Sequence, residues 1–218
     1  MPDRTGRNAE QPLNLASPEG LAALLSRRSV KTKDLDEPGP GPEDLERILA
    51  AARRVPDHGK LAPWRFLVFR GTARDALGRL IGECYRREEA QPDATVAKGL
   101  EGFALQAPVL VVLVSTPSDA RPIPEWEQRL SAGAAGFALL AATHMTGYAG
   151  QWLTGWPAYS HELARTLGLG REDRIAGFFF LGTPKRKPSE RPRPTREQVV
   201  REFTTAEEVS AARGRMLP

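Results

Sequence analysis

Apolar residues along the chain change rhythm, spaced by three and four in some stretches and running unbroken in others, which predicts alternating helices and strands. Ser17-Pro18 supplies a cap and a first helical position. Leu21, Leu24 and Leu25 then mark the apolar side of a first helix that runs to Arg27-Arg28-Ser29. After the turn-rich Gly39-Pro40-Gly41-Pro42, residues Leu45, Ile48, Leu49 and Ala52 repeat at helical spacing until Pro56. Residues 64–69 read as a strand closed by Gly71, Leu77, Leu80, Ile81 and Cys84 as a third helix, and residues 95–106 as a further one. Val109 to Val114 is an unbroken aliphatic run between Pro108 and Pro117, the pattern of a central strand covered on both faces.

The stretch from Glu125 to Thr146 predicts a long helix rich in small residues: Ala132, Gly133, Ala134, Ala135, Gly136, Ala138, Ala141 and Ala142. Small side chains permit close approach of the backbone, either to a sheet or to a second copy of the helix. Residues 148–155 return to the sheet, residues 158–167 form a short helix stopped by Gly168, and Ile175 to Leu181 form another buried strand. No internal repeat is visible. The predicted architecture is a single α+β domain over residues 17–185, with helices flanking a central sheet. A flexible polar segment at 1–16 precedes it and a basic extension at 186–218 follows.

Composition narrows the function. At 218 residues and 40% hydrophobic the chain can bury one sizeable core. No apolar run reaches membrane-spanning length, the N-terminus lacks the apolar segment of a signal peptide, and a lone Cys84 cannot form an internal disulfide. A soluble, cytoplasmic protein without a membrane partner is expected, with Cys84 as packing. The formal charge of +4 arises in the tail, because residues 184–218 hold nine Lys or Arg against five Asp or Glu and the remainder balances at 22 against 22. A neutral body without interleaved aromatic and basic residues gives no support to nucleic-acid binding. The chain has no Gly-x-Gly-x-x-Gly, no phosphate loop and no Gly-x-Ser-x-Gly, and His58, His144 and His161 lie at no recognised metal-ligand spacing.

Two stretches carry chemistry. Arg27-Arg28-Ser29 offers paired guanidiniums beside a hydroxyl, donors that suit a phosphate monoester. Pro56-Asp57-His58-Gly59-Lys60-Leu61-Ala62-Pro63-Trp64-Arg65-Phe66 is a loop feeding a strand, with Arg53-Arg54 just before it. In this order and spacing the two stretches resemble the opening of the FMN-dependent nitroreductase family, especially its compact bacterial subgroup, and the likeness extends over roughly residues 18–185. The commoner Ser-x-x-Asn loop before Pro-Trp is replaced here by Pro56-Asp57-His58-Gly59-Lys60-Leu61.

The resemblance implies FMN as cofactor, with NADH or NADPH as co-substrate and a small-molecule electron acceptor such as a nitroaromatic or quinone. It implies that Arg27, Arg28 and Ser29 contact the FMN phosphate and ring, and that Arg54 and His58 make further flavin contacts. Trp152, Leu153 and Thr154 fall in the segment that runs past the isoalloxazine ring, although Trp152 equally suits ordinary core. Lys185 or Arg186, with Lys187 as a third choice, follows the last strand where family members place a basic phosphate ligand. The resemblance also implies a homodimer whose sites are built from both chains, and a ping-pong reaction needing no catalytic side chain. A same-fold enzyme specialised for one metabolite, and a flavin-binding interaction protein with a basic tail, remain alternatives.

Overall fold

The computed structural model describes residues 15–214 and 217. The expected flexibility of residues 1–16 therefore falls almost wholly outside the described residues. Two compact units divide after Lys187. The first carries helices α1 (Pro18–Ser26), α2 (Pro42–Ala52), α3 (Thr72–Glu88), α4 (Ala94–Glu101), α5 (Glu125–Met145), α6 (Trp156–Tyr159) and α7 (His161–Thr166). Its strands are β1 (Leu35–Asp36), β2 (Trp64–Arg70), β3 (Val109–Ser115), β4 (Ala149–Leu153) and β5 (Arg174–Pro184). The second holds two short helices, α8 (Arg196–Val199) and α9 (Ala206–Ala211), each opened by a threonine capping box.

The sheet runs β1-β5-β3-β2, with β4 also paired to β5, and every pairing is antiparallel. Every residue of β3 is buried. The period-two alternation of a strand explains why an unbroken aliphatic run is needed there. Val109, Val111 and Leu113 pack with Phe179 and Leu181 under α2 and α5, while Leu110, Val112 and Val114 pack with Phe178 and Phe180 under α3 and α7. The result is a sheet with a helical layer on each face. Cys84 is fully buried in the second of these layers, and burial raises its thiol pKa, as expected of a packing residue.

The structure refines the predicted elements. Ser17 caps α1 as expected, its hydroxyl accepting from the Gly20 amide at 3.2 Å. Residues 95–106 divide into α4 and a 3-10 turn at Phe103–Leu105, and residues 158–167 divide at Ser160, which caps α7. The two-residue β1 had no periodicity to announce it.

The small residues of α5 also resolve. Ala132, Ala135 and Ala142 are buried against the sheet, and a Cβ on Gly136 would stand 2.7 Å from Phe179 Cζ. The outward face of α5 instead carries Trp126, Leu130, Phe137 and Met145, all substantially exposed.

Candidate functional site

The helix α1 stops at Ser26 because Arg27 leaves the helical region, with φ −57° and ψ 132°. The chain then meets the head of β4: the Val30 amide donates to the Gly150 carbonyl at 3.1 Å and the Thr32 amide to Gln151 Oε1 at 2.8 Å. These two bonds fix Arg27-Arg28-Ser29 between the end of α1 and β4. Arg28 Nη1 donates to the carbonyls of Arg27 at 2.9 Å and Leu25 at 3.2 Å, closing the C-terminal turn of α1. The Arg27 guanidinium lies 5.9 Å from the centre of the Phe137 ring on α5. Next to it, Ser26 Oγ is 3.3 Å from His144 Nε2.

The end of β5 comes to the same edge of the molecule. Ala149 pairs with Gly182, and β1 pairs with Thr183 and Pro184. Lys185 and Arg186 follow directly. The Lys185 ammonium is 3.5 Å from Asp36 and the Arg186 guanidinium 3.0 Å from Asp34, both carboxylates lying a few residues beyond Ser29. Three segments distant in sequence (27–29, 149–151 and 182–186) thus converge. Their donors comprise guanidinium, ammonium and hydroxyl groups, a set that fits a phosphate monoester.

Arg54 and His58 lie elsewhere. They follow α2, and their loop is fastened to the first two turns of α5. His58 Nδ1 is 2.7 Å from Glu127 Oε2, Ser131 Oγ donates to the Pro56 carbonyl at 2.6 Å, and Trp64 Nε1 donates to Ser131 Oγ at 3.1 Å. The loop bends sharply, with φ of 74°, 57° and 46° at Gly59, Lys60 and Ala62. The Asp57 carboxylate holds that bend by accepting from the Leu61 and Ala62 amides at 3.0 and 2.9 Å. Glu127 sits in the first turn of α5 and His144 in the last, about 25 Å apart along the axis at 1.5 Å per residue. The structure therefore brings Arg27, Arg28, Ser29, Lys185 and Arg186 to one end of α5, and puts Arg54 and His58 at the other.

Trp152 is held inside the fold. Its indole N–H donates at 3.0 Å to the carbonyl of Ala176, the residue left over where β3 and β5 shift register. Its ring lies 4.8 Å from that of Phe179. Leu153 packs against the core on the α3 side, and Thr154, half-buried, leads into Gly155 at φ 72°. Sequence reading missed Glu127, Ser131 and His144 as partners of these segments. Each acts across 67 to 118 residues of chain, as in Ser131 binding Trp64 and His144 pairing with Ser26, so no local spacing announces the contact.

A two-layered helical cover on an antiparallel sheet, with a cation-lined edge, defines an α+β domain, and the comparisons with known proteins assign its family. Residues 24–183 match the model of the nitroreductase family. YdjA of Escherichia coli K12, which bears the name of an NAD(P)H nitroreductase, is 33% identical over 171 residues, covering 78% of this chain and 91% of that protein. A Haemophilus influenzae protein of similar name is 32% identical, covering 78% of this chain and 90% of its own. The crystal structure of a nitroreductase-like family protein from Bacillus cereus superposes with a TM-score of 0.73 at 19% identity, covering 88% of this chain and 100% of that one. A Desulfovibrio desulfuricans nitroreductase solved in complex with FMN gives 0.63 at 21% identity over 88% of this chain and 100% of that one. The chain belongs to the nitroreductase family. Among the described residues no helix is long and apolar enough to cross a membrane, and no group of three or more His, Cys, Asp or Glu could hold a metal ion.

Proposed function

We propose that this protein is an FMN-dependent oxidoreductase that passes electrons from NADH or NADPH to a small acceptor such as a nitroaromatic or quinone. The observation that carries this reading is the convergence of Arg27-Arg28-Ser29 with the head of β4 and the Lys185-Arg186 end of β5. Family membership and the names of relatives such as YdjA support it.

In this reading Arg27, Arg28 and Ser29, with Lys185 or Arg186, hold the FMN phosphate. For the latter two, the phosphate would compete with Asp36 and Asp34. Thr154 and the left-handed Gly155 border the ring, Leu153 backs it from the core, and Trp152 stiffens the strand behind. FMN, when bound, supplies the redox chemistry, accepting a hydride from the nicotinamide and returning electrons to the acceptor. The protein's part is to orient the ring, keep one face open and set its electrostatics. No side chain is required as nucleophile, acid or base.

Arg54 and His58 are too far along α5 to meet the cofactor held by their own Arg27 and Arg28. A second copy of the chain, related by a twofold axis, would supply them. The outward faces of α1 and α5 support such a pairing. Leu25, Trp126, Leu130 and Phe137 are 72, 69, 53 and 50% exposed on adjoining helices, an apolar surface that a partner would cover. The proposed assembly is a homodimer with two sites at the subunit boundary.

An absorbance spectrum of the purified protein tests the cofactor. Oxidised-flavin bands released by heat are expected, and a colourless protein that stays so with added FMN would end the proposal. If one open face serves two planar substrates in turn, initial-rate plots give parallel lines. Intersecting lines would show that both substrates bind together.

A further inference from the structure

His144 stands where the proposed cofactor site meets the end of α5. Its ring lies in the last turn of that helix, with Nε2 3.3 Å from the hydroxyl of Ser26, the final residue of α1. Arg27 and Arg28 follow that serine, so two guanidiniums and an imidazole gather from two elements. Among the described residues the charged groups acting on the ring are Arg27 and Arg28, which follow α1, and its place in the last turn of α5 also exposes it to that helix's terminal carbonyls. We propose that His144 is a further residue of the phosphate site, taking up a proton when a phosphate dianion settles against Arg27 and Arg28. The proposal rests on the FMN reading above.

Without an anion, burial of the ring and the positive charges of Arg27 and Arg28 hold its pKa below the usual histidine value and favour the uncharged imidazole. The helix terminus alone would favour the charged form, and the two guanidiniums override it. A phosphate dianion cancels their charge and adds its own attraction for an imidazolium. The pKa therefore rises on binding. A group that binds protons more tightly in the complex makes binding stronger as pH falls through the window between its free and bound pKa values. The affinity gain is up to tenfold for each unit by which binding raises that value. The phosphate's own second ionisation, near pH 6, sends protons the other way, because the arginines favour the dianion. Comparison with a variant lacking only the imidazole separates the two contributions.

The test uses the full chain freed of flavin, with FMN and riboflavin as the two probes. His144→Gln keeps a polar partner for Ser26 but cannot titrate. Calorimetric titrations in two buffers of different ionisation enthalpy, across about pH 5.5 to about 8.5, count the protons exchanged. With FMN, the wild type should take up more protons than His144→Gln, and the ratio of its affinity to that of the variant should rise as pH falls. With riboflavin, which has no phosphate, the two proteins should behave alike. In the wild type, the NMR titration midpoint of the His144 ring should move upward when FMN is added. Equal proton uptake and equal pH dependence in the two proteins, or an unmoved midpoint, would overturn the role of His144 while leaving the FMN reading intact. Absence of FMN binding at every pH would overturn both.

Discussion

Replacing Gly177 with alanine isolates the contact that seats the Trp152 indole against β5. A Cβ built on Gly177 stands 1.9 Å from Trp152 Nε1 and 2.4 Å from Cδ1, inside any permissible contact, so the indole must leave its position. The backbone of α5 passes close behind the ring at Gly136, where an added Cβ would stand 3.1 Å from the far edge of the indole, so little room is left for a retreat towards α5. Overpacking of this kind costs about 1–3 kcal/mol. Loss of the 3.0 Å bond from Trp152 to the Ala176 carbonyl adds about 0.5–1.5 kcal/mol. A destabilisation of about 2–4 kcal/mol follows, read as a lower urea midpoint at unchanged slope, or as a melting temperature lower by roughly 4–16 °C at this chain length. Trp152→Phe removes the N–H and puts a smaller ring in its place without forcing a clash, so it should cost less than Gly177→Ala. In the double variant, part of the Gly177→Ala penalty should disappear, because the smaller ring leaves room for the methyl group. A change under about 0.5 kcal/mol in Gly177→Ala would refute the reasoning, since it would place the indole where a methyl group can fit.

Three further outcomes are expected. Arg27→Ala or Arg28→Ala should weaken FMN binding roughly tenfold to a hundredfold for whichever guanidinium faces the phosphate, because a charge-assisted bond contributes about 1.5–3 kcal/mol; unchanged affinity in both would remove the assignment. Phe137→Glu puts a charge on the outward face of α5 and should shift the molecular mass measured by light scattering from dimer to monomer, whereas an already monomeric, flavin-loaded wild type would contradict the paired-site account. Burial tends to raise the Glu88 pKa, but bonds from the Ser160 hydroxyl and the His161 and Glu162 amides outweigh it and leave it below its usual 4.5. Its contribution is present above pH 4.5 and is lost as pH falls through the lower folded value, so the melting-temperature gap between wild type and Glu88→Gln should be widest near neutrality and narrow in acid; a gap independent of pH would exclude the linkage.

The sequence by itself determined the elements whose periodicity matches their burial. The run Val109 to Val114 between two prolines read as a strand enclosed on both faces, and Leu45, Ile48 and Ala52 as the inward side of a helix, and both are buried as read. The two chemical stretches stood out as local patterns, and their order and spacing, rather than either one alone, carried the family resemblance. Tertiary structure decided what no local pattern holds. The small residues of α5 read equally well as a sheet-facing or a partner-facing stripe until Gly136 was found against Phe179 and Trp152. Trp152 owes its fixed place to a carbonyl freed by a register shift in β5, and such a shift depends on how three strands align rather than on either flanking sequence. Most consequentially, the chain order that puts Arg54 and His58 close behind Arg28 conceals their separation, because the long helix α5 lies between the places where Ser26 meets His144 and His58 meets Glu127. Spacing along a chain fixes neighbours within a turn or two, while distance across a fold is set by the rigid elements in between.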